Sequence, residues 1–408
     1  LTILPLVACF PGIHPNLTPH PEDTKRQTQT PISVRQPAFL SGRKNTGVFN
    51  DAPTFNAAVQ CIDVKPGSGH EFRAPGANDE RGPCPALNAA ANHGFLPRSG
   101  IVSASQVVVG LKEAFNVGFN FAFGGSVLGI VYGGDIVSKT WSIGGAYAAS
   151  VPLLSEAPGL LGTHGKYEGD GSPSRADAYF HNGNVNVFDY EHFTHMYELG
   201  TEYTHDLLAA HAEYRQQHSM QKNPYFFLNP VNFLLLPGAN GLIINIFSNH
   251  SAETPGGTLN HEVLKSFFAV TGEPGSFVWK EGHERIPENW CKRPDDLGFE
   301  HIAADALVNN AMYPGQIAVG GNLGKVNTFT GVELGKLTGG TYDAKALLEG
   351  DNLACFVLQA SQQAMPGQLK GPLNLVDELL RWVTDQLEPL TSKLSCPQLS
   401  NFRKEMFA

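Results

Sequence analysis

Apolar residues recur at a helical spacing along most of the chain beyond residue 80, whereas alternating, strand-like runs are few and short. Gly, Pro and Asn interrupt this pattern often, which indicates long loops between the helices. The pattern predicts helices over residues 86–93, 103–115, 119–137, 190–220, 261–270 and 373–390. We therefore expect a mainly α fold of about ten helices with short β pieces and long loops.

The same pattern divides the 408 residues into four parts. Residues 1–10 form an apolar run of signal-peptide length, although a hydrophobic terminal strand would have the same pattern. Up to residue 77 the chain is then rich in Pro, Thr, Gln, Asn and Gly and has no sustained apolar period. We expect a remnant of a signal peptide at 1–20, an extended N-terminal arm at 21–77, one domain at 78–400 and a tail at 401–408.

Composition and charge exclude several classes of protein. Hydrophobic residues make up 42% of the chain and charged residues 16%, which is not the composition of a disordered protein. The net charge of −10 provides no basic field for nucleic acid or for an anionic membrane surface. No apolar run is long enough to predict a membrane span. Sequons at Asn16 and Asn249 agree with a secreted, glycosylated protein.

The cysteines indicate one thiol with a separate role. The chain has six, and loss of Cys9 with a leader would leave an odd number in an exported protein. Cys84 lies between Pro83 and Pro85, directly before the predicted helix 86–93. Unpaired backbone N–H groups at a helix start favour a thiolate and lower the pKa of the thiol. Such a thiolate suits a haem iron; the alternatives are a half-cystine and an inert buried thiol.

A second motif places hard oxygen ligands on a tight loop. Glu168 and Asp170 flank Gly169, and Ser172 follows two residues later. Carboxylates, a hydroxyl and the carbonyl oxygen that Gly169 makes accessible are the ligands preferred by Mg²⁺ or Ca²⁺. The alternative is an acidic turn that caps the next helix.

Together the two motifs resemble the fungal haem-thiolate peroxidases, a family that comprises chloroperoxidase and the unspecific peroxygenases. The match is closest to the long peroxygenases and extends over roughly residues 78–400. Further segments match in order: Asn88, Asn92-His93-Gly94, Leu96-Pro97-Arg98, Asn182-Gly183-Asn184-Val185-Asn186, Asn223-Pro224-Tyr225-Phe226 and Gly324-Lys325-Val326-Asn327. The resemblance implies a single chloroperoxidase-like domain that contains haem b.

The resemblance also implies roles for individual residues. Cys84 matches the axial thiolate ligand of the haem iron. A Mg²⁺ ion would be bound by Glu168, Asp170, Ser172 and the carbonyl oxygen of Gly169. The family pattern further implies a disulfide between Cys355 and Cys396, whereas the sequence leaves open whether Cys61 pairs with Cys291.

The distal side departs from the family pattern. Where the long peroxygenases have an Arg and then the Glu that moves the peroxide proton, this chain has Asn232 and Ala239. The matched wall positions, usually Phe, are Val117, Tyr167 and Leu242. A positioned base accelerates such a proton transfer by about 10²–10⁴-fold, so the absence of this Glu puts the efficiency of peroxide activation in question. Candidate substitutes are Tyr167, Asn232, Asn240, His181 and His250.

Three functions follow as hypotheses. The first is a secreted haem-thiolate oxidoreductase that uses hydrogen peroxide to oxidise or oxygenate a small apolar or aromatic molecule or a secondary metabolite. The second is a family member that has lost peroxide activation and carries out a non-oxidative transformation, and the third is a haem- or ligand-binding protein. We expect substrate to enter through an apolar channel formed by Phe226, Phe227, Phe233, Leu234, Leu235 and Leu236, of which at least half would be core. The sequence does not predict the oligomeric state.

Overall fold

The structure is a computed structural model that describes residues 54–150, 156–343, 345–349, 352–363, 385, 388, 396–403 and 406. The mainly α prediction is confirmed, and within these ranges the α-helices are α1 (Ala57–Gln60), α2 (Pro85–Asn92), α3 (Ala104–Phe115), α4 (Phe119–Gly133), α5 (His164–Tyr167), α6 (Tyr190–Tyr197), α7 (His205–Lys222), α8 (Asn232–Phe247), α9 (His261–Phe267), α10 (Phe299–Met312), α11 (Leu334–Leu337) and α12 (Asn352–Gln363).

The strands are two or three residues long and pair antiparallel. Two-stranded sheets join β1 to β2, β3 to β4, β5 to β7 and β8 to β9, and a three-stranded sheet has the order β11-β10-β6. The strands are β1 (Ile101–Ser103), β2 (Thr140–Ser142), β3 (Tyr147–Ala148), β4 (Glu156–Ala157), β5 (Glu202–Tyr203), β6 (Phe227–Leu228), β7 (Leu259–Asn260), β8 (Val270–Thr271), β9 (Val278–Trp279), β10 (Gly320–Gly321) and β11 (Thr330–Gly331).

Local capping determines where the predicted helices begin and end. Ser103 starts α3 with a capping box, in which its Oγ accepts the N–H of Gln106 and Gln106 Oε1 accepts the N–H of Ser103. The prediction of one helix over 190–220 is wrong, because β5 interrupts it and Thr204 starts a new helix, α7. Asn223 ends α7, and Pro224 follows, which cannot continue a helix.

The two largest apolar clusters of the described residues form most of the core, and α8 belongs to both. Phe247, near its end, packs with Phe267 in the cluster that contains α2 and α3. Phe233, near its start, packs edge-on against Phe356 of α12 in the other cluster. Along its length α8 also contacts α7 and α10, while α3 packs against α4. Of these helices, α2, α3, α4 and α8 contribute residues to the site described below.

Residues 54–77, which the sequence places in the extended arm, are held against the domain. Cys61 forms a disulfide with Cys291, which answers the pairing question that the sequence left open. Gln60 Nε2 donates to the carbonyl oxygen of Lys292 at 2.9 Å, and Val64 lies in the first apolar cluster. The signal-peptide remnant and the arm up to residue 53 lie outside the described residues.

The C-terminal disulfide that the resemblance implied, between Cys355 and Cys396, is present. Most of the predicted helix over 373–390 and half of the predicted tail at 401–408 lie outside the described residues. Within the described ranges, no helix is both long enough and apolar enough to cross a lipid bilayer.

Candidate active site

Cys84 is the N-cap residue of α2, as the sequence predicts, and it is the free cysteine of the described residues. Pro85 occupies the first helical position, where a missing N–H costs nothing. Asn88 holds the preceding turn, since its Oδ1 accepts the N–H of Gly82 at 3.0 Å and its Nδ2 donates to the Gly82 carbonyl at 2.8 Å. A Cβ atom at Gly82 would lie 2.0 Å from the carbonyl oxygen of Ile143, so only glycine fits this turn.

The expected lowering of the Cys84 pKa is wrong for the protein without metal. Burial raises the pKa of the thiol to about 11, and the backbone N–H groups of Leu87 and Ala86 oppose this without overcoming it. The N–H groups at the helix start therefore stabilise the thiolate, but the free-energy cost of removing its charge from water is larger than this gain. A metal cation that binds the sulfur would displace the proton.

Cys84 lines a largely apolar cavity of about 270 Å³. Typical small-molecule pockets have about 300–1,000 Å³, so this cavity is close to the lower end of that range. Two predicted wall residues, Val117 and Leu242, line it, and so does Ala239, at the position of the missing Glu. Other apolar lining residues include Leu87, Val107, Leu111, Phe115, Phe121, Trp141, Leu235, Ile243, Ile246, Phe247 and Phe268.

The polar part of the cavity wall contains a histidine that the sequence analysis missed. His164 is 5% exposed, lies one helical turn before Glu168, and its Nε2 is 3.6 Å from Glu168 Oε2. Burial raises the pKa of Glu168, but hydrogen bonds from His164 and Ser172 and the charge of Arg175 outweigh burial and hold the pKa below its usual value. The i, i+4 spacing of His164 and Glu168 is the signal that could have identified this pair.

Asp170 does not face this cavity. Its Oδ1 accepts the N–H of Ala178 at 2.8 Å, and its Oδ2 accepts from Asn223 Nδ2 at 2.7 Å. Asn223 also donates to Asp177, whose Oδ1 accepts from Arg215 Nη2 at 3.0 Å. Burial and the neighbouring charge of Asp177 raise the pKa of Asp170 well above its usual value.

The predicted Mg²⁺ ligands are therefore only partly brought together. Glu168 and Ser172 line the cavity and fit an oxygen-liganded cation, whereas Asp170 and Gly169 do not line it. In the described part of the chain no three His, Cys, Asp or Glu side chains are grouped so that they could hold a metal ion. Asp170, as placed here, does not fit the predicted ligand set.

Haem fits the cavity better than Mg²⁺ fits the loop. The cavity combines a free thiol, large apolar walls and Arg175, a 3% exposed arginine whose Nε has no hydrogen-bond partner. Such a cation can neutralise a haem carboxylate. Glu284, 1% exposed, lies nearby, and burial raises its pKa to about 7 despite the positive charge of Arg175. The sequence analysis did not identify Glu284, because no local pattern marks it.

The remaining distal candidates lie away from the cavity wall or outside the described part of the structure. Asn232 is 4% exposed at the start of α8, and Asn240 donates to the carbonyl oxygen of Leu236, but neither lines the cavity. His181 is exposed and His250 is bonded to the Pro255 carbonyl, also outside the wall. The side chain of Tyr167 lies outside the described part of the structure.

The predicted channel residues are mostly core. Leu235 alone of the six lines the cavity, whereas Phe226, Phe233, Leu234 and Leu236 are at most 2% exposed inside the second cluster. Helical periodicity explains the difference, because α8 turns one face to the cavity and the other to α7 and α10. The cavity face of α8 starts at Leu235 and continues with Ala239, Leu242 and Ile246.

Comparisons with known proteins identify the family of this chain. Residues 70–295 match the family model described as "Peroxidase, family 2". The chain is 38% identical to the dothistromin biosynthesis peroxidase of Dothistroma septosporum over 87% of this chain and 86% of that protein. It is 32% identical to an aromatic peroxidase of Fusarium equiseti, over 86% of this chain and 83% of that one, and 26% identical to the aromatic peroxygenase of Cyclocybe aegerita, over 68% and 70%. The chain therefore belongs to the fungal haem-thiolate peroxidase family and is an oxidoreductase of the peroxidase type.

Proposed function

We propose that this protein binds haem b through Cys84 and uses hydrogen peroxide to oxidise or oxygenate small aromatic molecules or intermediates of secondary metabolism. The observation that carries the proposal is the free thiol of Cys84 at the start of α2, in the wall of a largely apolar cavity. The relatives named as a dothistromin biosynthesis peroxidase and as aromatic peroxidases support a substrate of this class.

Each part of the cavity has a role in this proposal. When bound, haem supplies the redox chemistry, and a thiolate ligand donates electron density that favours cleavage of the peroxide O–O bond. Cys84 would hold the iron and Arg175 a carboxylate of the haem, while the aliphatic walls exclude water. Glu168, held ionised by His164 and Ser172, would keep a negative charge at the polar wall and offer two ligands to Mg²⁺ together with Ser172.

We also propose that the protein is secreted. The two disulfides are typical of oxidising compartments. Of the two sequons, Asn16 lies outside the described residues, and Asn249 is half-buried with its Oδ1 accepting the N–H of Cys291 at 2.9 Å. Glycosylation modifies Nδ2 of asparagine, so a glycan on Asn249 would leave this Oδ1 contact in place.

Rapid mixing of the purified holoprotein with hydrogen peroxide and a phenolic electron donor tests the function. We expect the absorption spectrum of a thiolate-ligated haem and peroxide-dependent oxidation of the donor. Cys84→Ser should remove the thiolate spectrum and leave the helical circular dichroism intact. A thiolate spectrum that only bleaches, without donor oxidation, would support the non-oxidative hypothesis, and a thiolate spectrum that survives in Cys84→Ser would contradict the ligand assignment.

A further inference from the structure

A tryptophan at the protein surface packs against a residue of the cavity wall. Trp279, in β9, is partly exposed, and the guanidinium of Arg175 lies 5.0 Å from the centre of its ring. Arg175 is itself 3% exposed and lines the same cavity as Cys84. The side chain of Arg175 therefore bridges the Trp279 ring and the cavity.

The neighbours of Trp279 on the outer side are aromatic and open to solvent. Phe188 stacks on Trp279 with ring centres 5.0 Å apart, and Tyr190 packs edge-on against Phe188. Tyr190 is 45% exposed, and its hydroxyl oxygen accepts the backbone N–H of Trp279 at 3.2 Å. Val278, the residue before Trp279, is 59% exposed. A large molecule can therefore approach Trp279 from solvent.

The surroundings of Trp279 allow its ring to lose an electron and keep its proton. Among the described residues, the buried Nε1 of Trp279 has no hydrogen-bond partner, so no base is in place to take the indole proton. The positive charge of Arg175 opposes oxidation of the ring, but the negative charges of Glu168 and Glu281 act on Arg175 and offset this repulsion. The oxidised ring can therefore be reduced again without a proton transfer.

The size of the cavity separates two kinds of electron donor. A cavity of about 270 Å³ can enclose a small phenol, but it cannot enclose a polymer that carries phenol groups. Oxidation of a polymeric donor therefore needs an oxidisable group at the surface. Trp279 is such a group, and it lies in contact with a residue of the cavity wall.

We propose, on the basis of the function proposed above, that Trp279 is a surface oxidation site for phenolic polymers too large to enter the cavity. Trp279 gives one electron, across Arg175, to the cofactor that peroxide has oxidised, and its ring becomes a cation radical. A phenol of the polymer then returns an electron to Trp279, releases its proton to water and becomes a phenoxyl radical. Two such transfers supply the two electrons and two protons that convert hydrogen peroxide into two water molecules.

Free tyramine and tyramine coupled to dextran test this site, because they present the same phenol in a small and in a polymeric form. Peroxide-dependent oxidation of each by the holoprotein is measured from the fluorescence of the coupled phenols. Trp279→Phe keeps an aromatic face for Arg175. It should lower kcat/KM for dextran-tyramine about tenfold or more and leave free tyramine within about twofold. Trp279→Tyr restores an oxidisable ring and should recover part of the lost rate.

Electron paramagnetic resonance gives a readout that does not depend on turnover. The holoprotein is mixed with hydrogen peroxide without a donor and frozen, and we expect a tryptophan radical that is absent in Trp279→Phe. Tyr225→Phe is the matched control, because Tyr225 is oxidisable and 47% exposed but does not line the cavity. This variant should change neither the radical nor the two rates. A radical that is lost in Tyr190→Phe and kept in Trp279→Phe would overturn the assignment.

The remaining outcomes separate this inference from the proposed function. Equal oxidation of dextran-tyramine by the wild type and by Trp279→Phe, with free tyramine still oxidised, would refute this inference alone. A wild type that oxidises neither form of tyramine would refute the proposed function. If Trp279→Phe does not fold, mass spectrometry of the wild type decides, because peroxide should oxidise Trp279 in the holoprotein and not in the apoprotein. Equal oxidation of Trp279 in both forms would overturn the inference.

Discussion

Arg175 donates a hydrogen bond from Nη2 to the carbonyl oxygen of Pro83, 3.1 Å away, and so links two motifs that lie 92 residues apart in the chain. Its Nη1 donates to the carbonyl oxygen of Asn186, and its guanidinium lies 5.0 Å from the ring centre of Trp279. The Arg175 guanidinium is thus held by three contacts and lies next to Pro83, the residue before Cys84. Arg175 both orients the Cys84 turn and carries the charge that faces the cavity.

Arg175→Met should therefore weaken haem retention. The variant removes the donor to the Pro83 carbonyl and the buried charge, a loss of about 1.5–3 kcal/mol, or roughly ten- to a hundredfold in haem affinity. The measurement is haem transfer to an acceptor protein, followed by absorption. Arg73→Met is the control, because the Arg73 side chain is 61% exposed and pairs with Glu71 at the surface. Equal haem transfer from both variants would show that Arg175 has no such role.

The sequence predicted the features that depend on neighbours along the chain. Pro85 and Gly94 mark the ends of the Cys84 helix, and the placement of Cys84 at its start is correct. The pKa of Cys84 was not predictable in this way, because it depends on burial by side chains of α3 and α8. Asp170 likewise looked like a metal ligand until its partners Ala178 and Asn223 came together through the fold.

Glu284 should make the stability of the protein depend on pH. Its pKa is raised from 4.5 to about 7 in the folded state, so the folded protein holds a proton that the unfolded chain releases. The free energy of unfolding therefore decreases as pH rises above about 4.5. The decrease is complete above about pH 7, where it amounts to about 3 kcal/mol. In Glu284→Gln the fall in the free energy of unfolding between pH 4.5 and 7 should be smaller than in the wild type by that amount, as measured by urea unfolding. Parallel pH profiles would show that Glu284 is ionised in the folded protein.

The two carboxylates bridged by Asn223 should respond differently to neutralisation. Asp177→Asn leaves Arg215, which is fully buried, without its counter-charge, and should cost about 3–5 kcal/mol. Asp170→Asn removes a carboxyl group whose pKa burial and Asp177 raise well above its usual value, and it keeps the oxygen that accepts the N–H of Ala178, so it should cost less, about 1 kcal/mol. Urea unfolding near neutral pH compares the two variants. Similar costs would contradict the expected difference between the two carboxyl groups.

Restoring the Glu that the family has at the position of Ala239 should increase the rate of reaction with peroxide. Ala239 lines the cavity on α8, so Ala239→Glu should introduce a carboxyl group that takes and returns the peroxide proton. The second-order rate of reaction with hydrogen peroxide, measured by rapid mixing, should rise by up to about 10²–10⁴-fold. Leu242→Glu is the matched control, since it places the same charge in the same wall one helical turn later. A rise confined to Ala239→Glu would identify position 239 as the proton-transfer position, whereas equal effects in both variants would reflect only added negative charge.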